Sequence, residues 1–140
     1  MNGLAGKLII LGGVHSIALI AFHSTFWKLL KWGVELPKLA YPNGAVMQTL
    51  NLCLMFFFGI MAYLAFFRRE ELLSTRLGRT MLYAFALFWL ARLIEQFVLF
   101  EIRRPAVSAA LIILFVVGTA LYSVSAYLAS REAARANVAG

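Results

Sequence analysis

The sequence predicts an all-α integral membrane protein, a four-span antiparallel transmembrane helix bundle with an interfacial amphipathic helix between spans 1 and 2. Of its 140 residues, 63% are hydrophobic and 14% are charged, whereas soluble domains are about 45–50% apolar and about 25% charged. The apolar residues gather into four runs, each near the ~20 residues that cross a bilayer core. These runs cover about 4–24, 44–67, 82–100 and 107–128, so we expect residues 1–140 to form a single membrane domain.

The first span is rich in Ile, Leu and Gly, and we expect it to be retained. Lys7 precedes the apolar run as in a signal peptide, but no small-residue cleavage site closes the run. Residues 26–36 then carry two tryptophans and lysines at helical spacing, which is typical of an amphipathic helix lying among lipid headgroups. Pro37 is expected to end this helix. We interpret the helix as an interfacial anchor, with a lid over a site as the alternative.

The remaining spans are joined by a turn, a charged connector and a short link. A turn over residues 41–44 leads into the second span. Residues 68–79 contain four Arg and two Glu, and they predict a solvated helical connector. The link over residues 101–105 is so short that the third and fourth spans must be antiparallel neighbours. Pro105 fits the first turn of the fourth span, whose small residues allow close packing within a monomer, a homo-oligomer or a larger membrane complex.

The net charge of +7 comes mainly from basic residues that flank the spans. Such residues meet anionic headgroups, so the expected partner is the lipid bilayer and no nucleic-acid binding is predicted. Because cytoplasmic loops carry an excess of Lys and Arg, the counts favour cytoplasmic N- and C-termini, and we expect the cell inner membrane of a bacterium. Seven lie on the side of the termini (Lys7, Arg68, Arg69, Arg76, Arg79, Arg131, Arg135) and five on the other (Lys28, Lys31, Lys38, Arg103, Arg104).

Polar side chains interrupt the third span. At about 100° per residue, Arg92, Glu95, Gln96 and Trp89 share one face of the helix. Ionisable groups in the hydrocarbon cost roughly 2.5–3.5 kcal/mol each, so they usually face the bundle interior. Arg92 and Glu95 are separated by three residues and can pair directly. They form either a structural ion pair that fixes helix packing or part of a ligand site.

Polar groups of the first two spans lie at a similar depth. Arg92 and Asn51 each lie about 12 Å below the outer edge of their spans, and His15 about 16 Å below it, at 1.5 Å per residue. Gln48 lies one turn nearer that edge, and His23 lies close to it. Because the helices alternate in direction, these groups share the outer half of the bilayer. We expect a hydrated cavity open to that side, although one self-satisfied hydrogen-bond network would give the same pattern.

The leading functional prediction is a membrane binding protein or accessory subunit that holds a small or lipid-like ligand, lipophilic or anionic. The alternative is a membrane enzyme acting on a lipophilic substrate, with His15 or His23 and Glu95 as candidate acid–base residues and Arg92 as an anion clamp. An oligomeric transporter is the third hypothesis. The candidate ligand-binding residues are Arg92, Glu95, Gln96, His15, Asn51, Gln48 and Trp89.

Several chemistries are excluded by residue content. Glu95 is the one acid within the spans and the chain has no Asp, which excludes paired carboxylates. Cys53 is the single cysteine, which excludes dithiol redox chemistry. His15 and His23 are about 12 Å apart along one helix and cannot both ligate one iron axially. No metal site is therefore predicted, and the sequence leaves any other cofactor open.

Overall fold

The chain is an all-α, four-helix membrane bundle, as the sequence predicts. The computed structural model describes residues 3–100 and 105–139, and the elements in these ranges are helical. Four helices are long and apolar enough to cross a bilayer. In chain order, the elements are α1 (Gly3–Ser24), α2 (Phe26–Leu29), α3 (Trp32–Glu35), a 3-10 turn (Leu36–Lys38), α4 (Asn43–Phe67), α5 (Arg69–Ser74), α6 (Arg76–Leu99) and α7 (Pro105–Ala139).

Helix α1 packs against both α4 and α7, and α7 packs along α6. The central place of α1 depends on a pair of glycines. A Cβ atom on Gly12 would lie 2.8 Å from the Tyr122 ring of α7, and one on Gly13 would lie 2.9 Å from the Ala65 side chain of α4. The missing side chains therefore allow α1 to approach two neighbours at once, as small residues do in membrane bundles.

Helices α4 and α6 face each other through aromatic side chains. Within the described ranges their backbones hardly approach each other. Phe57 of α4 lies 4.9 Å from Phe88 of α6, measured between ring centroids. Phe58 stacks on Trp89 at 5.5 Å with the ring planes 4° apart. Large rings thus fill the space between α4 and α6.

Two of the spans are longer as helices than as apolar runs. Helix α6 begins at Arg76 rather than near residue 82, because the Thr75 hydroxyl accepts a hydrogen bond from the Gly78 amide at 2.9 Å and caps the helix. Helix α7 begins at Pro105, as predicted, and continues past residue 128 to Ala139. The third and fourth spans are neighbours, as predicted. The link over residues 101–104 lies outside the described residues.

The sequence predicts a solvated helical connector between the second and third spans. The connector is helical, but it is not fully solvated. Four of its charged residues are exposed (Arg68, Glu70, Glu71 and Arg76), and Arg69 and Arg79 are half-buried. Arg68 donates to the Glu71 carboxylate at 2.6 Å. Leu72, however, is only 3% exposed, because α5 packs against α1, α6 and α7. The connector is therefore an anchored part of the bundle.

Residues 26–38, which we call the interfacial segment, are mainly helical, but they do not form the single helix predicted over residues 26–36. Lys31 adopts the left-handed conformation (φ 51°, ψ 42°) and separates α2 from α3. Helix α3 ends at Glu35, and Pro37 falls in the 3-10 turn that follows. In one continuous helix Trp27 and Trp32 would point about 140° apart, whereas here their rings meet at 5.1 Å. The break at Lys31 brings the two indoles together.

Candidate functional site

Arg92 and Glu95 of α6 form the ion pair that their spacing predicts. Their side chains are 29% and 43% exposed in the monomer, so the pair lies at the edge of the bundle. The Arg92 guanidinium also lies 5.4 Å from the centre of the Phe115 ring of α7, a cation–π contact. This arrangement compensates both charges at the edge of the bundle.

Removing one member of this pair should destabilise the bundle more than removing both. We expect Glu95→Gln or Arg92→Gln to lower the free energy of unfolding by about 1–3 kcal/mol, because a charged group loses its hydrogen-bonded partner. The double variant should recover most of that loss, since it leaves no unpaired charge. Thermal unfolding in mild detergent measures these differences. Additive losses in the double variant would contradict the coupling.

His15 and Trp89 meet near the centre of the bundle, with ring centroids 4.8 Å apart. The Nε2–H of His15 donates to the Leu114 carbonyl at 3.2 Å. Because a carbonyl can only accept, Nδ1 of a neutral His15 carries the lone pair. Trp89 is only 1% exposed and lies between the Phe58 and Phe115 rings. These two predicted site residues are therefore brought together, but deep within aromatic packing.

His23 and Asn51 form a second contact nearer the end of α1. The Asn51 amide donates to the His23 carbonyl at 3.3 Å, and Nδ1 of His23 donates to the Leu19 carbonyl at 2.8 Å. The Phe26 and Phe58 rings pack on the His23 imidazole at 4.7 and 5.2 Å. The hydrogen bonds of both histidines thus go to backbone carbonyls, a partner that leaves no signature in the sequence.

Three polar atoms in these two contacts are sealed from solvent. Among the described residues, Nδ1 of His15, Oδ1 of Asn51 and Nε1 of Trp89 have no hydrogen-bond partner. An unpaired buried polar atom costs about 1–3 kcal/mol. These atoms make the bundle interior polar in the half nearest the start of α4, but their burial leaves little surface for a ligand to contact. An accessible groove begins nearer the start of α4, at Gln48.

Gln48 of α4 marks the boundary between the bundle and the interfacial segment. Its side-chain carbonyl accepts from the Trp27 indole at 3.3 Å, and its amide donates to the Gly44 carbonyl at 3.4 Å. These bonds orient Trp27 across the start of α4. Trp32, which packs on Trp27, is itself buried. The Trp27 and Trp32 rings thus form an aromatic wall beside a predicted site residue.

A groove of about 480 Å³ opens between this aromatic wall and the start of α4. The interfacial segment forms two sides of the groove, and the first turns of α4 form the third side. Tyr41 stands at its mouth and is 94% exposed. The groove is lined by Trp27, Trp32, Gly33, Leu36, Pro37, Leu39, Tyr41, Pro42, Gly44, Ala45 and Gln48.

The predicted site residues therefore form separate groups. Among the residues that the structure describes, no single hydrogen-bond network joins them. Arg92 pairs with Glu95 on the edge of α6, whereas His15 meets Trp89 in the interior. Asn51 contacts the backbone of His23. Gln96 is buried on α6. Gln48 is the predicted residue that lines the groove.

Sequence reasoning missed the groove residues Trp32, Leu36 and Tyr41. Their signal is a cluster of aromatic, proline and glycine residues between two spans, a pattern that indicates an interfacial anchor or, as the alternative, a lid over a site. It also missed a polar pair farther from the groove, where the Ser16 and Tyr122 hydroxyls lie 3.4 Å apart. Both hydroxyls are buried between α1 and α7, so this pair contributes to helix packing.

In the described ranges, no group of three or more His, Cys, Asp or Glu side chains is placed to hold a metal ion. Comparison with known proteins finds no matching family model, no matching curated protein and no matching solved structure. The groove and its lining residues therefore supply the chemistry from which a function can be argued.

Proposed function

We propose that this chain is a membrane-integral binding protein, or the accessory subunit of a membrane complex, that holds a lipid-like ligand in the outer half of the bilayer. The observation that carries the proposal is the groove of about 480 Å³ beside the start of α4. Ligand pockets are typically 300–1,000 Å³ and are lined mostly by apolar and aromatic groups with a few fixed polar groups. The groove has this composition.

The position of the groove favours an amphiphile over a fully polar or fully apolar ligand. The groove lies where α2 ends and α4 begins, between two membrane spans. Trp and Tyr prefer this level of the bilayer because one end of each ring system is apolar and the other is polar. Trp27, Trp32 and Leu36 would contact an alkyl chain, while Gln48 and the Tyr41 hydroxyl would face its polar head.

The proposed location is the inner membrane of a bacterium, with both termini in the cytoplasm. The excess of Lys and Arg on the side of the termini supports this orientation. The groove would then open toward the periplasmic leaflet. Lys38 lies on the same face and is exposed, so labelling it from outside intact cells tests the orientation.

The enzymatic alternative receives less support from the geometry. An acid–base pair would need Glu95 beside His15 or His23, but Glu95 pairs with Arg92. The described hydrogen bonds of the two imidazoles go to the Leu114 and Leu19 carbonyls. Binding needs none of these contacts to change, because the groove is already accessible.

Filling the groove should abolish binding while leaving the fold intact. Gly33 lines the groove, and a Cβ built on it meets no atom within 4 Å. We expect Gly33→Leu to occupy the space without a clash. The probe is hexadecanol carrying a photoactivatable diazirine, added to the purified protein in phosphatidylcholine nanodiscs. Mass spectrometry should find label on the groove residues of the wild-type protein, reduced at least tenfold in Gly33→Leu.

The matched control is Gly59→Leu. Gly59 lies in α4 away from the groove, and a Cβ there also meets no atom within 4 Å. This variant should label like the wild-type protein. Label spread evenly over lipid-facing side chains such as Phe56 and Phe67, or undiminished label in Gly33→Leu, would overturn the proposed function.

A further inference from the structure

We propose that the groove selects amphiphiles with a net anionic headgroup, such as a phosphatidylglycerol-type phosphodiester, over zwitterionic ones. This inference rests on the proposed function, and it adds the chemical class of the ligand head. Its basis is the distribution of charge around the groove, which the binding proposal does not use.

The interfacial segment carries more positive than negative charge. Its acid, Glu35, accepts from Lys38 at 2.9 Å, so these two charges cancel. Lys28 and Lys31 are exposed, and no acidic side chain among the described residues lies within ion-pair distance of either ammonium. The segment therefore presents two uncompensated cations at the level of the lipid headgroups.

These two cations are the sequence neighbours of the tryptophans that form the aromatic wall of the groove. Lys28 follows Trp27 directly, and Lys31 precedes Trp32 directly. The left-handed conformation of Lys31 brings these tryptophans together, so it also places both lysines on one short, folded segment. An alkyl chain against Trp27 and Trp32 would leave its headgroup near the two ammonium groups.

The chemistry of the headgroup follows from this charge. Juxtamembrane lysines attract anionic lipids at the surface, and an ammonium binds a phosphate as a compact point charge. In a zwitterionic lipid the choline cation would approach the same two lysines and oppose binding. Gln48 and Tyr41 add neutral hydrogen-bonding groups, which do not distinguish the two lipid classes.

The test is a competition between lipids with identical acyl chains. The protein is placed in nanodiscs of equal phosphatidylglycerol and phosphatidylcholine, and native mass spectrometry counts the lipid retained on the released protein. We expect phosphatidylglycerol to be retained roughly tenfold over phosphatidylcholine at low ionic strength. The preference should decline as salt is raised, since screening weakens exposed charges.

The decisive variant is Lys28→Gln combined with Lys31→Asn. Asparagine tolerates the left-handed conformation of position 31. This variant should retain the diazirine alcohol as the wild-type protein does. It should no longer prefer phosphatidylglycerol, so that the two lipids are retained in about equal amounts. Lys7→Gln combined with Arg131→Gln removes the same charge near the termini and should keep the preference.

The outcomes separate the two proposals. If the diazirine alcohol labels the groove but the two lipids are retained equally, the anionic selectivity is wrong and the binding function stands. If the variant with Lys28→Gln and Lys31→Asn keeps its preference for phosphatidylglycerol, the anionic selectivity is likewise wrong and the binding function stands. If Gly33→Leu alters neither alcohol labelling nor lipid retention, the groove is not the binding site and both proposals are wrong.

Discussion

Gly78→Ala should be among the most destabilising single-methyl additions in this protein. A Cβ on Gly78 would contact the Glu71 carbonyl oxygen and would lie 2.5 Å from the Leu72 Cα. Both are backbone atoms of α5, so no side-chain rotation can relieve the clash. Overpacking typically costs about 1–3 kcal/mol, occasionally more, and we expect about 3 kcal/mol or more here.

The cost is large because Gly78 lies where α5 turns back on α6. The Gly78 amide also donates to the Thr75 hydroxyl that caps α6. Moving α5 outward would expose Leu72 and disturb the contacts of α5 with α1 and α7. The expected result is a lower unfolding temperature in detergent and a smaller yield of folded monomer.

Gly59→Ala is the matched control for this prediction. It adds the same methyl group to a membrane helix at a position where a Cβ meets no atom within 4 Å. Its unfolding temperature should match that of the wild-type protein or exceed it, because alanine has the higher helix propensity. Equal stability of the two alanine variants would show that α5 does not pack closely on α6.

The four spans could be predicted from composition because length and hydropathy are properties of each segment alone. The close approach of α5 to α6 could not, since it depends on which backbone lies opposite Gly78. The break at Lys31 is similar. Nothing local favours a left-handed lysine, and the conformation accompanies the contacts that join Trp27 to Trp32 and Gln48. A helical pattern over residues 26–36 therefore predicted one helix.

The same distinction applies to the candidate site. The contact between Arg92 and Glu95 was predictable because it lies within one helix at a fixed spacing. The groove depends on the break at Lys31 and on side chains of α4. No single sequence pattern therefore links its lining residues. Gln48 was predicted from its depth and from its position one turn from Asn51, and the structure adds that its side-chain carbonyl accepts a hydrogen bond from the Trp27 indole.

Trp89 packs against aromatic side chains of three other helices at the centre of the bundle. The sequence does not indicate the space that its indole fills. Its indole packs on His15, Phe58, Phe88 and Phe115. It also lies against Gly118 of α7, where a Cβ would come 2.6 Å from the ring. Helix α7 can approach α6 here because residue 118 has no side chain.

Trp89→Ala should lower the free energy of unfolding by about 3–5 kcal/mol, the usual cost of emptying a large aromatic site. Gly118→Ala alone should cost about 2 kcal/mol, because the new methyl group overlaps the indole. The two losses should not add, since the methyl group can enter the space that the indole leaves.

Unfolding of the two single variants and the double variant in the same detergent measures this coupling. We expect the double variant to be about as stable as Trp89→Ala, which corresponds to an interaction energy of about 2 kcal/mol. Trp89→Ala combined with Gly59→Ala, which shares no contact, should instead be additive. An additive loss for Trp89 and Gly118 would mean that α6 and α7 adjust independently, and that Trp89 does not set their separation.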